Sequence, residues 1–260
     1  MLGICGALKT FNAGRADEKI ALNRLHLCLD RGDFAVVIGS NGAGKSSLLN
    51  SISGAMQLDA GRITIGGEDV TAQPVHRRAR RLARVFQDPM KGTAASMTVA
   101  ENLLLAELRA QPRRLRAGLD ARRLAKYRER LAILQLGLEN RLDTRVELLS
   151  GGQRQSLSLL MAVGNSPDLL LLDEHTAALD PRTADNVMLA TVRAVEAFGL
   201  TTLMVTHNMQ HAIDYGNRLV MMDAGQVRLE LAHEDKRNVT VPELIRHFSV
   251  TTDRMLLGAH

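Results

Sequence analysis

At 260 residues and 45% hydrophobic side chains, the chain is long enough to bury the core of one large α/β domain, with the composition of an ordinary globular protein. Cys5 and Cys28 form no C-x-x-C pair and no metal spacing. That excludes a disulfide scaffold and leaves two small apolar side chains, expected to be buried, in a reducing compartment such as the cytoplasm. The net charge of +5 conceals a basic block of fifteen Lys and Arg against five Asp and Glu between His76 and Arg130, but 3% aromatic content offers no stacking stripe for single-stranded nucleic acid.

No apolar run reaches the ~18–20 residues needed to cross a bilayer. Met1 to Leu8 is apolar without a basic start, so no signal peptide is expected. The first third reads as strands separated by Gly-bearing turns. Phe34 to Ile38 is a short β-branched run, and Ser46 to Ile52 is helical. Arg62 to Ile65 and Ala83 to Phe86 are two further strands, the latter stopped by Asp88-Pro89. From Thr98 the pattern changes. Thr98 and Glu101 form a capping box, and helical character runs to Leu136 with interruptions near Pro112 and Gly118. This Arg-rich stretch reads as a lobe inserted into the α/β core.

Leu169 to Leu172 and Thr201 to Val205 have the fully apolar character of buried parallel strands, with Pro181 to Phe198 as the crossover helix between them. Arg218 to Asp223, turned by Ala224-Gly225, predicts a closing hairpin. Thr240 to Glu243 is a second capping box, ahead of a short C-terminal helix.

Gly39-Ser40-Asn41-Gly42-Ala43-Gly44-Lys45-Ser46 fits the P-loop pattern, between a predicted strand and a predicted helix. Glycines let the backbone wrap its N–H groups around phosphate oxygens, and the helix adds its positive end. Lys45 is the cation for the β- and γ-phosphates and Ser46 the hydroxyl for Mg²⁺. Asp173 and Glu174 close the apolar strand at its carboxyl end, where open parallel sheets place ligands. There Asp173 reads as a Mg²⁺ residue and Glu174 as the group that polarises the attacking water. Leu149-Ser150-Gly151-Gly152-Gln153 reads locally as a helix start, with Ser150 as N-cap and glycines that permit close packing.

Taken with the P-loop, that last motif makes the sequence resemble the nucleotide-binding subunit of ATP-binding cassette (ABC) transporters, in motif order from Phe11 to about Gly225. The resemblance implies a P-loop NTPase (RecA-like) core with a mostly parallel sheet, an N-terminal antiparallel β subdomain and an inserted α-helical subdomain. It divides a single 1–260 domain into a core of residues 1–88 and 165–235, a helical lobe of 89–164 and a C-terminal extension of 236–260. It further implies that Gln87 senses Mg²⁺ and the γ-phosphate, that Asp180 lies in the D-loop, and that His207 contacts the γ-phosphate. Phe11 would stack on adenine, although an N-terminal Phe also reads as core. Ser47 stands where the family often has Thr.

By the same resemblance, ATP and Mg²⁺ are sandwiched in a head-to-tail homodimer, between the P-loop of one copy and Ser150-Gly151-Gly152-Gln153 of the other. The family's import-type members work with separate transmembrane permeases on the inner face of the membrane, together with a substrate-binding protein. The surroundings of Phe86 to Ala95 and of Asp173 to Asp180 look similar to a sparsely characterised bacterial uptake group associated with amino acids. His175 reads either as a polar loop residue or as a group near the dimer contact that makes turnover pH-sensitive. The alternative function is a soluble cassette ATPase acting on nucleic acid or ribosomes. Against it, only 105 positions separate Lys45 from Ser150, too few for a long coiled coil. A small-molecule kinase leaves Leu149 to Gln153 and His207 without a role.

Overall fold

The computed structural model describes residues 1–109 and 118–247. The expected break near Pro112, Arg113, Arg114 and Arg116 of the basic stretch, and the end of the C-terminal extension lie outside the described residues. The elements in chain order are strands β1 (Leu2–Phe11), β2 (Lys19–Leu29) and β3 (Phe34–Gly39), helix α1 (Lys45–Ser53), strands β4 (Ala60–Ile65) and β5 (Glu68–Asp69), helix α2 (Val75–Arg78) and strand β6 (Leu82–Val85). Helices α3 (Val99–Leu108), α4 (Ala121–Ala132) and α5 (Gly151–Val163) follow, then β7 (Leu169–Asp173), α6 (Pro181–Phe198), β8 (Thr201–Val205), α7 (Met209–Asp214), β9 (Arg218–Asp223), β10 (Gln226–Ala232) and α8 (His233–Arg237). Residues 241–247 are also helical. The chain divides into two compact units, one spanning Gln73–Thr202, the other Leu2–Ala72 with the chain from Leu203, so the division falls inside β8.

In the unit that begins at Leu2, β2, β1, β4 and β5 form an antiparallel sheet in that order. Leu2 pairs with Leu29 and Ile65, and Ile4 with Leu27 and Ile63, all six buried, as the two-residue side-chain period of a one-sided sheet requires. The same period overturns the expectation for the cysteines. Cys5 and Cys28 occupy the out-facing positions of β1 and β2 and are exposed.

In the same unit β3 is buried from Phe34 to Ile38 and runs parallel to β9, pairing Ala35 with Arg218 and Gly39 with Met222. β9 turns into β10 through Ala224 and Gly225, both at positive φ (46° and 75°), which is the type I′ geometry a two-residue hairpin prefers. Asp33 anchors the entry to β3. It accepts from Asn217 Nδ2 at 3.0 Å and Arg218 Nη1 at 2.7 Å, while Asn217 Oδ1 accepts from the Phe34 N–H. Beyond β10, Lys236 is buried and its Nζ donates to the carbonyls of Ile213, Tyr215 and Gly216, closing the C-terminal end of α7. Burial lowers the Lys236 pKa to about 8. The Thr240 cap is present, with Glu243 Oε2 accepting from both the N–H and the hydroxyl of Thr240.

In the unit Gln73–Thr202, β6 and β7 run parallel in register, from Leu82 with Leu169 to Val85 with Leu172. The strand expected at Ala83 to Phe86 ends one residue earlier. Phe86 leaves the ladder because its carbonyl accepts from Gln155 Nε2 of α5 at 3.0 Å. The α3 capping box is complete in both directions. The fully buried Asn102 ties the loop before it through bonds to Ala94 and Thr98. α5 and α6 pack at Gly152, where a Cβ would lie 2.5 Å from Thr183 Cγ2. Among the described residues no helix is long and apolar enough to cross a membrane.

Candidate functional site

The loop after β3 is shaped by glycines at left-handed or crowded positions. Gly42 and Gly44 have φ of 87° and 100°, in the left-handed region. At Gly44 a Cβ would lie 2.3 Å from the Ala21 carbonyl, and at Gly39 it would lie 2.5 Å from the Met222 carbonyl. The hairpin turn braces the loop from outside, since the Gly225 N–H donates to Ala43 O at 3.1 Å and the Asn23 N–H donates to Gly225 O at 2.9 Å. Ala21 and Gly225 are thus shape-determining residues that the motif does not include, and only their close approach in space identifies them.

The wrap ends at the N-terminus of the nine-residue α1, capped by Gly44 with no side-chain hydrogen bond. Its first amides keep the partial positive charge of a helix start. Lys45 is buried, its Nζ donating to Gly39 O at 2.7 Å and Ser40 O at 3.0 Å, so the loop folds around its own ammonium group. Ser40, Asn41, Gly42 and Ser46 are exposed, Ala43 is buried, and Ser47 is half-buried. This arrangement suits a polyphosphate: a backbone concavity, a helix end and one cation on a flexible stem.

Two further predicted residues lie in this unit. Phe11, at the end of β1 opposite Lys19, is 41% exposed, which rules out the core reading of this side chain. His207 follows β8 and is exposed. Its position is set by the Thr206 N–H donating to Val37 O at 3.1 Å and the Asn208 N–H donating to Thr206 Oγ1 at 3.0 Å.

In the other unit, four buried leucines of β7 deliver Asp173 and Glu174 as consecutive half-buried carboxylates. Glu174 has φ of 47°, a left-handed conformation that costs a non-glycine residue about 1–2 kcal/mol and clusters at functional positions. The turn behind it holds it there, with the Ala177 N–H donating to Glu174 O at 2.9 Å.

His175 is not a surface loop residue. It is 2% exposed, with Nε2 3.0 Å from Thr191 Oγ1. The Thr191 hydroxyl donates to Val187 O at 2.8 Å, so its oxygen is left to accept and the network assigns the proton to His175 Nε2. The residue ties the turn after β7 to α6.

Asp173 carries a partner that the motifs did not announce. Arg84 Nη2, from the neighbouring strand β6, donates to Asp173 Oδ2 at 2.6 Å, and its guanidinium lies 4.9 Å from the centre of the Phe86 ring. Gln87, two residues beyond the end of β6, is exposed. Ser150 caps α5 in a reciprocal box with Gln153, at 3.2 and 3.3 Å. Gln153 is engaged further, donating to Leu136 O and accepting from Arg141. Gly152 is used for packing on α6, whereas Ser150 and Gly151 are exposed at the helix start. A Cβ on Gly151 would lie 3.2 Å from Leu179 Cδ2, so the structure brings the Ser150 motif beside Ala178-Leu179-Asp180. Asp180 caps α6, and its hydrogen bonds with Thr183 hold its carboxyl below the usual carboxylate range.

Comparison with known proteins shows the family. Residues 22–177 match the family model described as ABC transporter. A tyrosine transport ATP-binding protein of Clostridioides difficile is 43% identical over 248 residues, covering 95% of this chain and 98% of that protein. A sulfate/thiosulfate import ATP-binding protein of Pseudomonas aeruginosa is 33% identical, covering 96% of this chain and 72% of its own length. Among solved structures, a dimeric ATP-binding cassette in a post-hydrolysis state, bound to ADP and Pi, superposes with a TM-score of 0.73 at 26% identity, over 89% of this chain and 98% of that one. The chain therefore belongs to the ABC transporter family and is an ATP-binding ATPase of that family.

Proposed function

We propose that the chain is the ATP-hydrolysing subunit of an uptake transporter. The loop Gly39–Ser47 carries the ATP half of this reading, since its glycines are forced and its buried lysine is aimed into its own backbone concavity. The uptake half is supported by the names of relatives, which are import or transport ATP-binding proteins for tyrosine and for sulfate or thiosulfate. Those names favour transport over an action on nucleic acid or ribosomes. The 43% identity to the tyrosine protein makes an amino acid the cargo class proposed here.

In this reading Gly39 to Ser47 bind the phosphates, Lys45 neutralises the β- and γ-oxygens, and Phe11 stacks on the adenine. Ser46, Asp173 and Gln87 present a hydroxyl, a carboxylate and an amide oxygen, the hard donors that Mg²⁺ takes. When bound, the ion would neutralise charge on the transferring phosphoryl group. Glu174 accepts a proton from the attacking water and His207 contacts the γ-phosphate. Ser150, Gly151, Gly152 and Gln153 of a second copy bind the same ATP from the other side, with Asp180 beside them, so two copies form a head-to-tail dimer. The dimeric cassette with ADP and Pi supports that assembly. Residues 89–164 act as the inserted lobe that meets a transmembrane permease, and residues 236–260 as an extension of the 1–88 and 165–235 core. A substrate-binding protein completes the system, and the chain sits in the cytoplasm against the inner face of the membrane.

The test is Glu174→Gln. It is expected to cut turnover at least ~10³-fold, leave ATP affinity within about threefold of the parent, and shift the chain to a dimer in ATP on size-exclusion chromatography. Retained hydrolysis would remove Glu174 from its role.

A further inference from the structure

Arg84 has no place in the chemistry set out above, yet it makes the shortest bond to a carboxylate that chemistry uses. Its guanidinium donates to Asp173 Oδ2 at 2.6 Å, and the two side chains are only 13% and 21% exposed. Strand register brings the two side chains together. Arg84 pairs with Leu171 and Val85 with Leu172, so Asp173 lies two positions beyond the partner of Arg84, on the same face of the parallel ladder near its carboxyl end. The guanidinium also lies over the Phe86 ring, with the cation 4.9 Å from its centre. Arg84 and Phe86 also line a cavity of about 780 Å³ together with Asn102 and Arg109, which leaves the guanidinium room to swing off the carboxylate.

We infer that Arg84 is a positioning residue that sets the Mg²⁺ threshold of the site, by compensating the Asp173 carboxylate and competing with the divalent cation for it. This rests on the reading of Asp173 as a Mg²⁺ residue. A carboxylate already engaged in a short charge-assisted hydrogen bond is a weaker donor to a metal. A guanidinium that stays in place also repels the ion. The chain would therefore take up nucleotide with Mg²⁺ only above a concentration that Arg84 sets.

The experiment is a MgCl₂ titration of trinitrophenyl-ATP fluorescence on the purified full chain, with parent, Arg84→Met and Arg84→Lys side by side. Met fills similar length without charge, and Lys keeps the charge without the fork. Arg84→Met is expected to lower the half-saturating Mg²⁺ about tenfold, near 1.4 kcal/mol, with probe binding in EDTA unchanged. Arg84→Lys is expected to stay within about threefold of the parent. A merely structural role would move melting temperature but not this split between the two substitutions. Titrations of parent and Arg84→Met that overlay, a higher threshold in Arg84→Met, or Arg84→Lys shifting as far as Arg84→Met would each overturn the inference. Absence of probe binding in the parent at saturating Mg²⁺ would instead overturn the nucleotide reading on which it rests.

Discussion

Replacing Gly44 with alanine separates two costs that the loop imposes together. At φ of 100° an alanine pays for the left-handed region, about 1–2 kcal/mol. Its Cβ would also stand 2.3 Å from the Ala21 carbonyl, and to reach even 3.0 Å something must yield by at least 0.7 Å. That oxygen belongs to β2, held on one side by β1 and on the other by the Asn23 bond to Gly225, so the shift propagates into both the sheet and the turn. Such overpacking typically costs about 1–3 kcal/mol more. Gly67 provides the comparison, since its φ is 83° but a Cβ there meets nothing within 4 Å. At about 2–4 °C per kcal/mol for a chain of this length, Gly67→Ala should lower the melting temperature by about 3–5 °C and Gly44→Ala by roughly twice that. Because the start of α1 moves with the clash, Gly44→Ala should also weaken trinitrophenyl-ATP binding more than ~10-fold. Equal melting temperatures for the two variants, together with intact probe binding in Gly44→Ala, would refute the argument that close backbone approach selects this glycine.

Further expectations follow from the same geometry. Burial alone would raise the Asp33 pKa, but bonds from Arg218, the Asp30 N–H and Asn217 outweigh it and hold the carboxyl below its usual range. A depressed folded pKa gives stability that is present above the unfolded value near 3.9 and lost as pH falls through the folded one. Asp33→Asn should therefore cost about 1.5–3 kcal/mol at pH 7 in urea unfolding, and the gap to the parent should narrow below pH 4. A gap independent of pH would contradict this. His175→Ala, which removes a buried ring tied to Thr191, should destabilise by about 2–4 kcal/mol while the pH profile of ATP turnover overlays the parent. A profile displaced by a full pH unit would revive a pH-sensing role. Ser150→Arg should abolish turnover without changing nucleotide affinity measured at concentrations where the chain is monomeric, and unaffected hydrolysis would mean that copies do not share the site.

Local rules acting over a few residues account for what was legible beforehand. The P-loop, the Thr98 and Thr240 caps, the Ala224-Gly225 turn and helix α6 all depend on spacings within one or two turns of chain, which a sequence displays directly. The reading of Ser150 as a helix N-cap holds, since that bond closes over three residues, and the structure adds Gln153 as its reciprocal partner. What required tertiary structure was every decision made between distant segments. The apolar character of cysteine suggested burial, but strand pairing alone determined that Cys5 and Cys28 face outward. His175 reads as polar from its chemistry and is buried because α6 brings Thr191 to it sixteen residues later. Ala21 and Gly225 shape the phosphate loop from distant segments, and Arg84 meets Asp173 across 89 positions. The chain by itself determined which chemical groups the ATPase has. Only the fold decided which neighbours orient and compensate them, because such contacts follow from strand register and packing, which no local pattern encodes.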